Sequence, residues 1–453
     1  MEERNKAIIK VMIILGILLG ICVLRAIYIS GFSKLGFNQY NKRLILLENR
    51  VLRGNFYDIN GTALTENIND IRDYIFDGRY NTSVGYLEYG EYGLEKNCAK
   101  ILLSPTYNFW SIITNLFTKE KFTGHDIHLT LDNNLQSTIE KSFKDKNGAA
   151  VVIEPKTGQI RAIYSSPNFN PNIGATDFEE VLAQPNNPLL NRATQGLYPP
   201  GSIFKILLAY AIIEEFPESY QNITYDCTGE INVDGNTISC YNHNAHGTIN
   251  LNDAFKYSCN TYFVNLSQYI SYKKLANIAK NFLFNTYLPT TTPVKVSQFD
   301  KKDDNTFSKY LSYIGQGKTL VTPFHMAMIA SMIANNGVLM EPYMIDYIDS
   351  KKTTLPIIYD SIIEEEMAKK LQDLMIGVVN GGTGRALSNI NATIGIKTGT
   401  AENEGKNAHS WVIGFAQDRE NTLAFSVIVE NEEGSSIDIT KNIIQNFLEN
   451  NRN

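Results

Sequence analysis

The chain has 453 residues, 43% of them hydrophobic and 19% charged, with 41 lysines and arginines against 47 acidic residues and a formal net charge of −6. It is too apolar to be disordered and long enough for more than one folded unit, and its acidic balance excludes the basic footprint of a nucleic-acid-binding protein. Five cysteines, Cys22, Cys98, Cys227, Cys240 and Cys259, are too few for a disulfide scaffold at this length and show no zinc-type Cys/His spacing, so neither a metal nor a cofactor is expected.

The first predicted element is an apolar helix. Residues 11–24 carry no charge, with apolar 7–9 before Lys10 and 26–29 after Arg25. Both basic side chains can snorkel and extend the run to the ~20 residues a bilayer needs. A cleaved signal peptide fits less well: no small-x-small site follows the run, and Leu19-Gly20-Ile21-Cys22 has isoleucine where lipid attachment wants a small residue. An uncleaved single-pass anchor over 1–33 is therefore expected. Arg4, Lys6 and Lys10 on one side are matched by Arg25, Lys34, Lys42 and Arg43 on the other, so charge does not orient it.

Residues 34–130 are rich in Tyr, Asn and Gly, with turn signals such as Asn60-Gly61, and read as a small irregular domain. Across 126–143 the pattern passes from alternation into helical spacing, with Leu131, Leu135 and Ile139 on one side; that helix opens a larger domain, 131–453. Two β-rich runs around Lys156-Thr157-Gly158 predict a hairpin. Three more, at 391–401, 409–417 and 421–430, precede a helical stretch at 437–449. Strands at both ends of a domain with helices between predict an α/β layer structure whose terminal strands share a mostly antiparallel sheet flanked by helices.

Within this frame, "GLYPPGSIFKILLAY" (196–210) puts Ser202 after Pro-Gly and Lys205 one helical turn on. Serine is a common helix cap there, and a second Ser-x-x-Lys, Ser271 to Lys274, shows how little the pattern means alone. On a helix, however, residues three apart share a face, which sets Lys205 beside Ser202 as a base. Ser258-Cys259-Asn260 and Lys397-Thr398-Gly399-Thr400 follow. Ser166-Pro167-Asn168 and Lys156-Thr157-Gly158 match the same patterns, but only one selection gives the order Ser-x-x-Lys, Ser-x-Asn, Lys-Thr-Gly.

With these three motifs the sequence resembles the penicillin-binding, active-site-serine enzymes. Further stretches make it similar to class B: "RGNFYDINGTAL" (53–64), "VGYLEYGEYGLEKNCAKIL" (84–102), "LTLDNNLQ" (129–136), "IGQG" (314–317), "TPFHMAMIASMIANNG" (322–337) and "IKTGTAE" (396–402). The resemblance implies a penicillin-binding/serine β-lactamase-like transpeptidase domain on a non-catalytic pedestal, in a membrane-anchored peptidoglycan D,D-transpeptidase that faces outward. Ile203 stands where threonine is common in the family, and the pedestal is short. The resemblance also implies Ser202 as nucleophile, Lys205 as its base and Lys397 as a second cation. Ser258 would pass a proton to the departing D-alanine, and Asn260 would hold the peptide backbone and orient Lys205. The backbone N–H groups of Ser202 and Thr400 would form the oxyanion hole. Thr398 and Thr400, with Lys397, would receive the terminal carboxylate, and Gly399 would let substrate lie along the strand. Peptidoglycan stem peptides are the implied substrates, β-lactam antibiotics the implied inhibitors and a SEDS-family glycan polymerase the implied partner.

A D,D-carboxypeptidase remains an alternative, and behind it a serine β-lactamase or a non-enzymatic β-lactam sensor. His243, His246 and His409 have no role in this chemistry and read as surface or pocket-lining residues; Trp411 reads as packing. "CTGEINVDGNTISC" (227–240) has the look of a hairpin. A four-residue loop at 232–235 would set Cys227 opposite Cys240 for a disulfide, whereas a two-residue Asp234-Gly235 turn would offset them. The sequence leaves the two open.

Overall fold

The computed structural model describes residues 2–31, 47–87, 90–106, 120–299, 305–403 and 405–450, in two units, 1–50 and 51–453. In the first, helix Glu2–Gly31 contains an 18-residue apolar stretch, Ile8–Arg25, with mean hydropathy 2.5 and none of it buried. It is long and apolar enough to cross a membrane. Residues 34–46, with Lys34, Lys42 and Arg43, lie outside the described residues, as does part of the 84–102 motif at 88–89.

The second unit is built on five strands: β1 (Gly148–Ile153), β2 (Ile160–Ser166), β3 (Thr393–Asn403), β4 (Lys406–Asp418) and β5 (Asn421–Val429). They lie in the order β3-β4-β5-β1-β2, every neighbour antiparallel. The expected sharing of one sheet by the domain's two ends is thus what the chain does. Helix Asn133–Phe143 packs with Ser436–Asn450, and helix Pro323–Ala334 with Glu365–Val379, each pair against the sheet. With helices on both faces, β1 is buried along its whole length and β5 after Asn421.

Local rules place the helix starts. Asp132 accepts the N–H groups of Asn134 at 2.9 Å and Leu135 at 3.2 Å, which separates strand Ile127–Leu129 from the helix that buries Leu135, Ile139 and Phe143. Pro323 follows the capping Thr322, and every residue from Pro323 to Ile333 is buried.

The smaller N-terminal part of this unit is held by polar contacts. Asp58 Oδ1 accepts the N–H groups of Asn60 (2.9 Å) and Thr62 (2.7 Å) and so closes the Asn60-Gly61 turn. Glu95, fully buried, takes Arg53 Nη1 at 3.0 Å and Arg72 Nε at 2.7 Å. Strand Phe56–Tyr57 runs parallel to Ile127–Leu129, which pairs antiparallel with Ile345–Ile348 and through it with Lys351–Lys352. One small sheet therefore draws strands from both sides of the boundary expected at 130/131.

Candidate active site

Ser202 lies in a 3-10 turn, Gly201–Phe204, that runs into helix Lys205–Glu215. Pro200 and Phe204 stand at the capping positions of these two elements, so Ser202 is inside the turn and is not a helix cap. The approach to it is tight. Gly201 has φ +55°, and a Cβ there would stand 2.6 Å from Thr400 O, so only glycine brings the serine turn this close to β3. Gly201 N also donates to Gly315 O at 2.8 Å. Gly399 serves the same contact: its Cβ would meet Ile203 Cγ2 at 3.0 Å and Pro200 O at 3.1 Å.

Lys205 is wholly buried. Its Nζ donates to Asn260 Oδ1 at 2.6 Å, to the Ser258 carbonyl at 2.8 Å and to Ser258 Oγ at 3.3 Å, and lies 5.4 Å from the Phe263 ring. Burial lowers its pKa to about 7, against the opposing pull of the Cys259 and Cys240 thiols. Lys397 Nζ donates to the same Ser258 Oγ at 2.9 Å and to Thr398 O at 3.0 Å. Burial, and then the charge of Lys205, hold Lys397 well below the ordinary lysine range. The hydroxyl of Ser258 is thus gripped by two lysines that each shed a proton more easily than a free one.

The turn carrying Ser258 is strained. Ser258 has φ +59°, a left-handed conformation uncommon for a non-glycine residue, between helices Leu251–Lys256 and Asn260–Asn265. Asn260 Nδ2 donates to Ser239 O at 2.9 Å, which ties the turn to the hairpin before it. On β3, Lys397 pairs with Ile413, Thr398 with Val412 and Thr400 with Ser410; Thr400 is exposed and Thr398 partly so.

All three motifs therefore meet at one place, and the decoys do not. Ser271 caps helix Tyr272–Asn281 by accepting Lys274 N at 3.2 Å, and Lys274 Nζ goes to Glu214 and Glu215. Lys156-Thr157-Gly158 is the β1–β2 turn, with Gln159 N donating to Thr157 Oγ1. Asn168 Nδ2 donates to Tyr164 OH. Trp411 does more than pack: its Nε1–H donates to Pro199 O at 3.1 Å and steadies the lead-in to Ser202. Of the histidines, His243 is exposed and pairs with Glu230, His409 is buried and accepts Asn431 N, and His246 faces Cys227.

Two features escaped the sequence. Thr383 Oγ1 is 2.5 Å from Thr398 Oγ1, and its only trace in the sequence is the glycine-rich stretch Asn380-Gly381-Gly382-Thr383-Gly384. The cysteine stretch takes the two-residue register, yet the two cysteines still come together. Strands Glu230–Val233 and Asn236–Ser239 pair around the two-residue Asp234-Gly235 turn, but the chain bends at Gly229 (φ +99°) and Cys227 pairs instead with Gly247 on another strand. Cys227 and Cys240 are free thiols with Sγ atoms 3.8 Å apart, and Cys259 Sγ is 3.6 Å from Cys240 Sγ.

Residues 148–449 match the family profile described as the penicillin binding protein transpeptidase domain. The chain is 28% identical to the peptidoglycan D,D-transpeptidase MrdA of Acinetobacter baumannii, over 79% of this chain and 60% of that one, so it spans about three fifths of that relative's length. It is 30% identical to the peptidoglycan D,D-transpeptidase PbpA of Mycobacterium tuberculosis over 70% of both chains. Penicillin-binding protein A from M. tuberculosis, solved as its imipenem acyl-enzyme, is similar with a TM-score of 0.79 at 26% identity, covering 88% of this chain and all of that one.

Proposed function

Since the chain belongs to the penicillin-binding protein transpeptidase family, as a class B member, we propose that it is a peptidoglycan D,D-transpeptidase acting through a Ser202 acyl-enzyme and acylated by β-lactams at the same serine. The observation that carries this reading is the convergence on Ser258 Oγ of two buried lysines, Lys205 and Lys397, with Ser202 in the turn that leads into the first.

Neutral Lys205 takes the proton as Ser202 Oγ attacks the carbonyl of the penultimate D-alanine, a step for which a positioned base supplies typically ~10²–10⁴ in rate. The developing oxyanion is held by the Ser202 and Thr400 N–H groups, each worth roughly 2.7–4 kcal/mol; the glycine-dependent closeness of residues 201 and 400 supports that pairing. Ser258 Oγ, bridging the lysines, hands a proton to the leaving D-alanine nitrogen and recovers one from Lys205. Lys397 with the Thr398 and Thr400 hydroxyls receives the substrate carboxylate, and Asn260 holds both Lys205 and the peptide backbone. The acyl-enzyme then passes to an amine of a neighbouring stem peptide, which forms the cross-link and regenerates Ser202.

The Ile8–Arg25 stretch supports a single-pass anchor, residues 34–130 a pedestal and 131–453 the catalytic domain, on the outer side of the cell membrane where stem peptides are. A SEDS-family polymerase is the partner this architecture calls for, because class B proteins carry no polymerase domain. The test is labelling with a fluorescent penicillin: Ser202→Ala abolishes label and Ser271→Ala retains it, whereas label persisting in Ser202→Ala refutes the assignment. A stem-peptide donor with an acceptor amine then separates cross-linked product from the free tetrapeptide a carboxypeptidase would release.

A further inference from the structure

Beside the catalytic turn, Cys227, Cys240, His246 and Cys259 place one ligand atom each within 4.8 Å of one another, with the three cysteines buried and the histidine half-buried. The four come from four separate pieces of chain: strand Tyr225–Cys227, the residue after strand Asn236–Ser239, the loop before strand Gly247–Ile249, and the Ser258–Asn260 turn. We propose that they form a structural zinc centre that staples the catalytic Ser-x-Asn turn, and that a Cys227–Cys240 disulfide is the exclusive alternative state of the same site.

The geometry fits a closed tetrahedron. Zinc with Zn–S of about 2.3 Å and Zn–N of about 2.0 Å sets its thiolates about 3.8 Å apart and a thiolate and imidazole nitrogen about 3.5 Å apart. Here Cys227–Cys240 is 3.8 Å, Cys240–Cys259 3.6 Å and Cys227 Sγ to His246 Nδ1 3.3 Å. Thiolate-rich ligation selects a soft or borderline ion over magnesium or calcium, and four protein ligands leave no open position for chemistry. The surroundings hold the ligands as a metal site's do. Thr261 Oγ1 donates to Cys227 Sγ at 3.2 Å and lies 3.3 Å from Cys259 Sγ, while Tyr262 N donates to Cys259 Sγ at 3.4 Å. Binding converts three thiols to thiolates and releases their protons to solvent.

Cys259 is flanked by Ser258 and Asn260, so the metal holds the strained φ +59° residue from one side while Lys205 and Lys397 hold it from the other. The alternative state needs an oxidant of the disulfide class, such as oxidised glutathione. By exchange, a Cys227 Sγ–Cys240 Sγ bond forms, the oxidant's S–S bond breaks, and two electrons and the two thiol protons pass to it as two free thiols. Two of the four ligands are then consumed and the ion cannot be held. Metal binding itself does not rest on the transpeptidase reading; only its effect on the catalytic turn does.

Full-length protein in detergent, reduced and freed of metal, is titrated with zinc ions alone; bound metal is counted by native mass spectrometry and accessible thiols by alkylation and peptide mapping. One zinc per chain is expected, protecting Cys227, Cys240 and Cys259 together, with affinity weakened by roughly tenfold or more in Cys227→Ser and His246→Ala. His246→Ala, at a half-buried position, keeps the test decisive if Cys227→Ser does not fold. Chain first treated with oxidised glutathione is expected to yield the Cys227–Cys240 linked peptide and to take up no zinc. Failure of the reduced chain to bind one zinc, or undiminished affinity in His246→Ala, overturns the centre. Equal zinc uptake by the disulfide-linked chain overturns the exclusivity. Neither readout depends on penicillin labelling, so failure here is distinct from failure of the catalytic assignment.

Discussion

The depressed pKa of Lys205 dictates the pH dependence of acylation. With a value of about 7, the neutral, proton-accepting fraction is about 0.1 at pH 6 and about 0.9 at pH 8, whereas a lysine with the ordinary pKa of 10.5 stays well under about 0.01 even at pH 8. The second-order rate of acylation by a fluorescent penicillin, followed by rapid quench, should rise about tenfold from pH 6 to 8 and level off above. An unperturbed base would give about a hundredfold rise over that interval with no plateau. A profile flat from pH 6 to 8, or one still climbing tenfold per unit beyond pH 8.5, would refute Lys205 as the base. The same shift has a stability signature. Because the folded value lies below the unfolded one, the unfolded chain binds the extra proton between about pH 7 and 10.5. The burial of Lys205 therefore costs stability in full below pH 7, on the order of 5 kcal/mol, and the cost fades as pH rises toward 10.5.

Gly201→Ala sets a Cβ 2.6 Å from Thr400 O at φ +55°. The two oxyanion donors must separate, and the acylation rate should fall about 10²-fold in protein that still shows native far-UV circular dichroism. Thr383→Val deletes the partner of the Thr398 hydroxyl; acylation should drop roughly 3–10-fold, as expected for one hydrogen bond of about 1 kcal/mol, with Thr383→Ser restoring it. Glu95→Ala strips the carboxylate shared by Arg53 and Arg72. Denaturant unfolding should show a loss of about 3–5 kcal/mol, while the acylation rate of the folded fraction stays unchanged because the site lies in another part of the unit.

The motifs, their order and most of the sheet were legible in the sequence because each rests on local rules. Pro-Gly before Ser202 marks a turn into a helix, β-rich composition marks β3, β4 and β5, and the spacing of Leu131, Leu135 and Ile139 marks a helix. Such signals need only a few neighbouring residues to be read. What makes the site reactive is not local. Lys205 sits near neutrality because Phe263 and the Ser258–Asn260 turn close over it, and Lys397 because Lys205 is already there. A linear pattern carries the identity of these side chains but not the water they lose. The same holds for Thr383 against Thr398, 15 residues on, and for the cysteines. The Asp234-Gly235 turn was readable as one of two registers, yet the bend at Gly229 that carries Cys227 off the hairpin depends on pairing with Gly247. Tertiary structure alone brought three thiols and His246 to one point beside the catalytic turn, because which buried groups meet is decided by how separate segments pack.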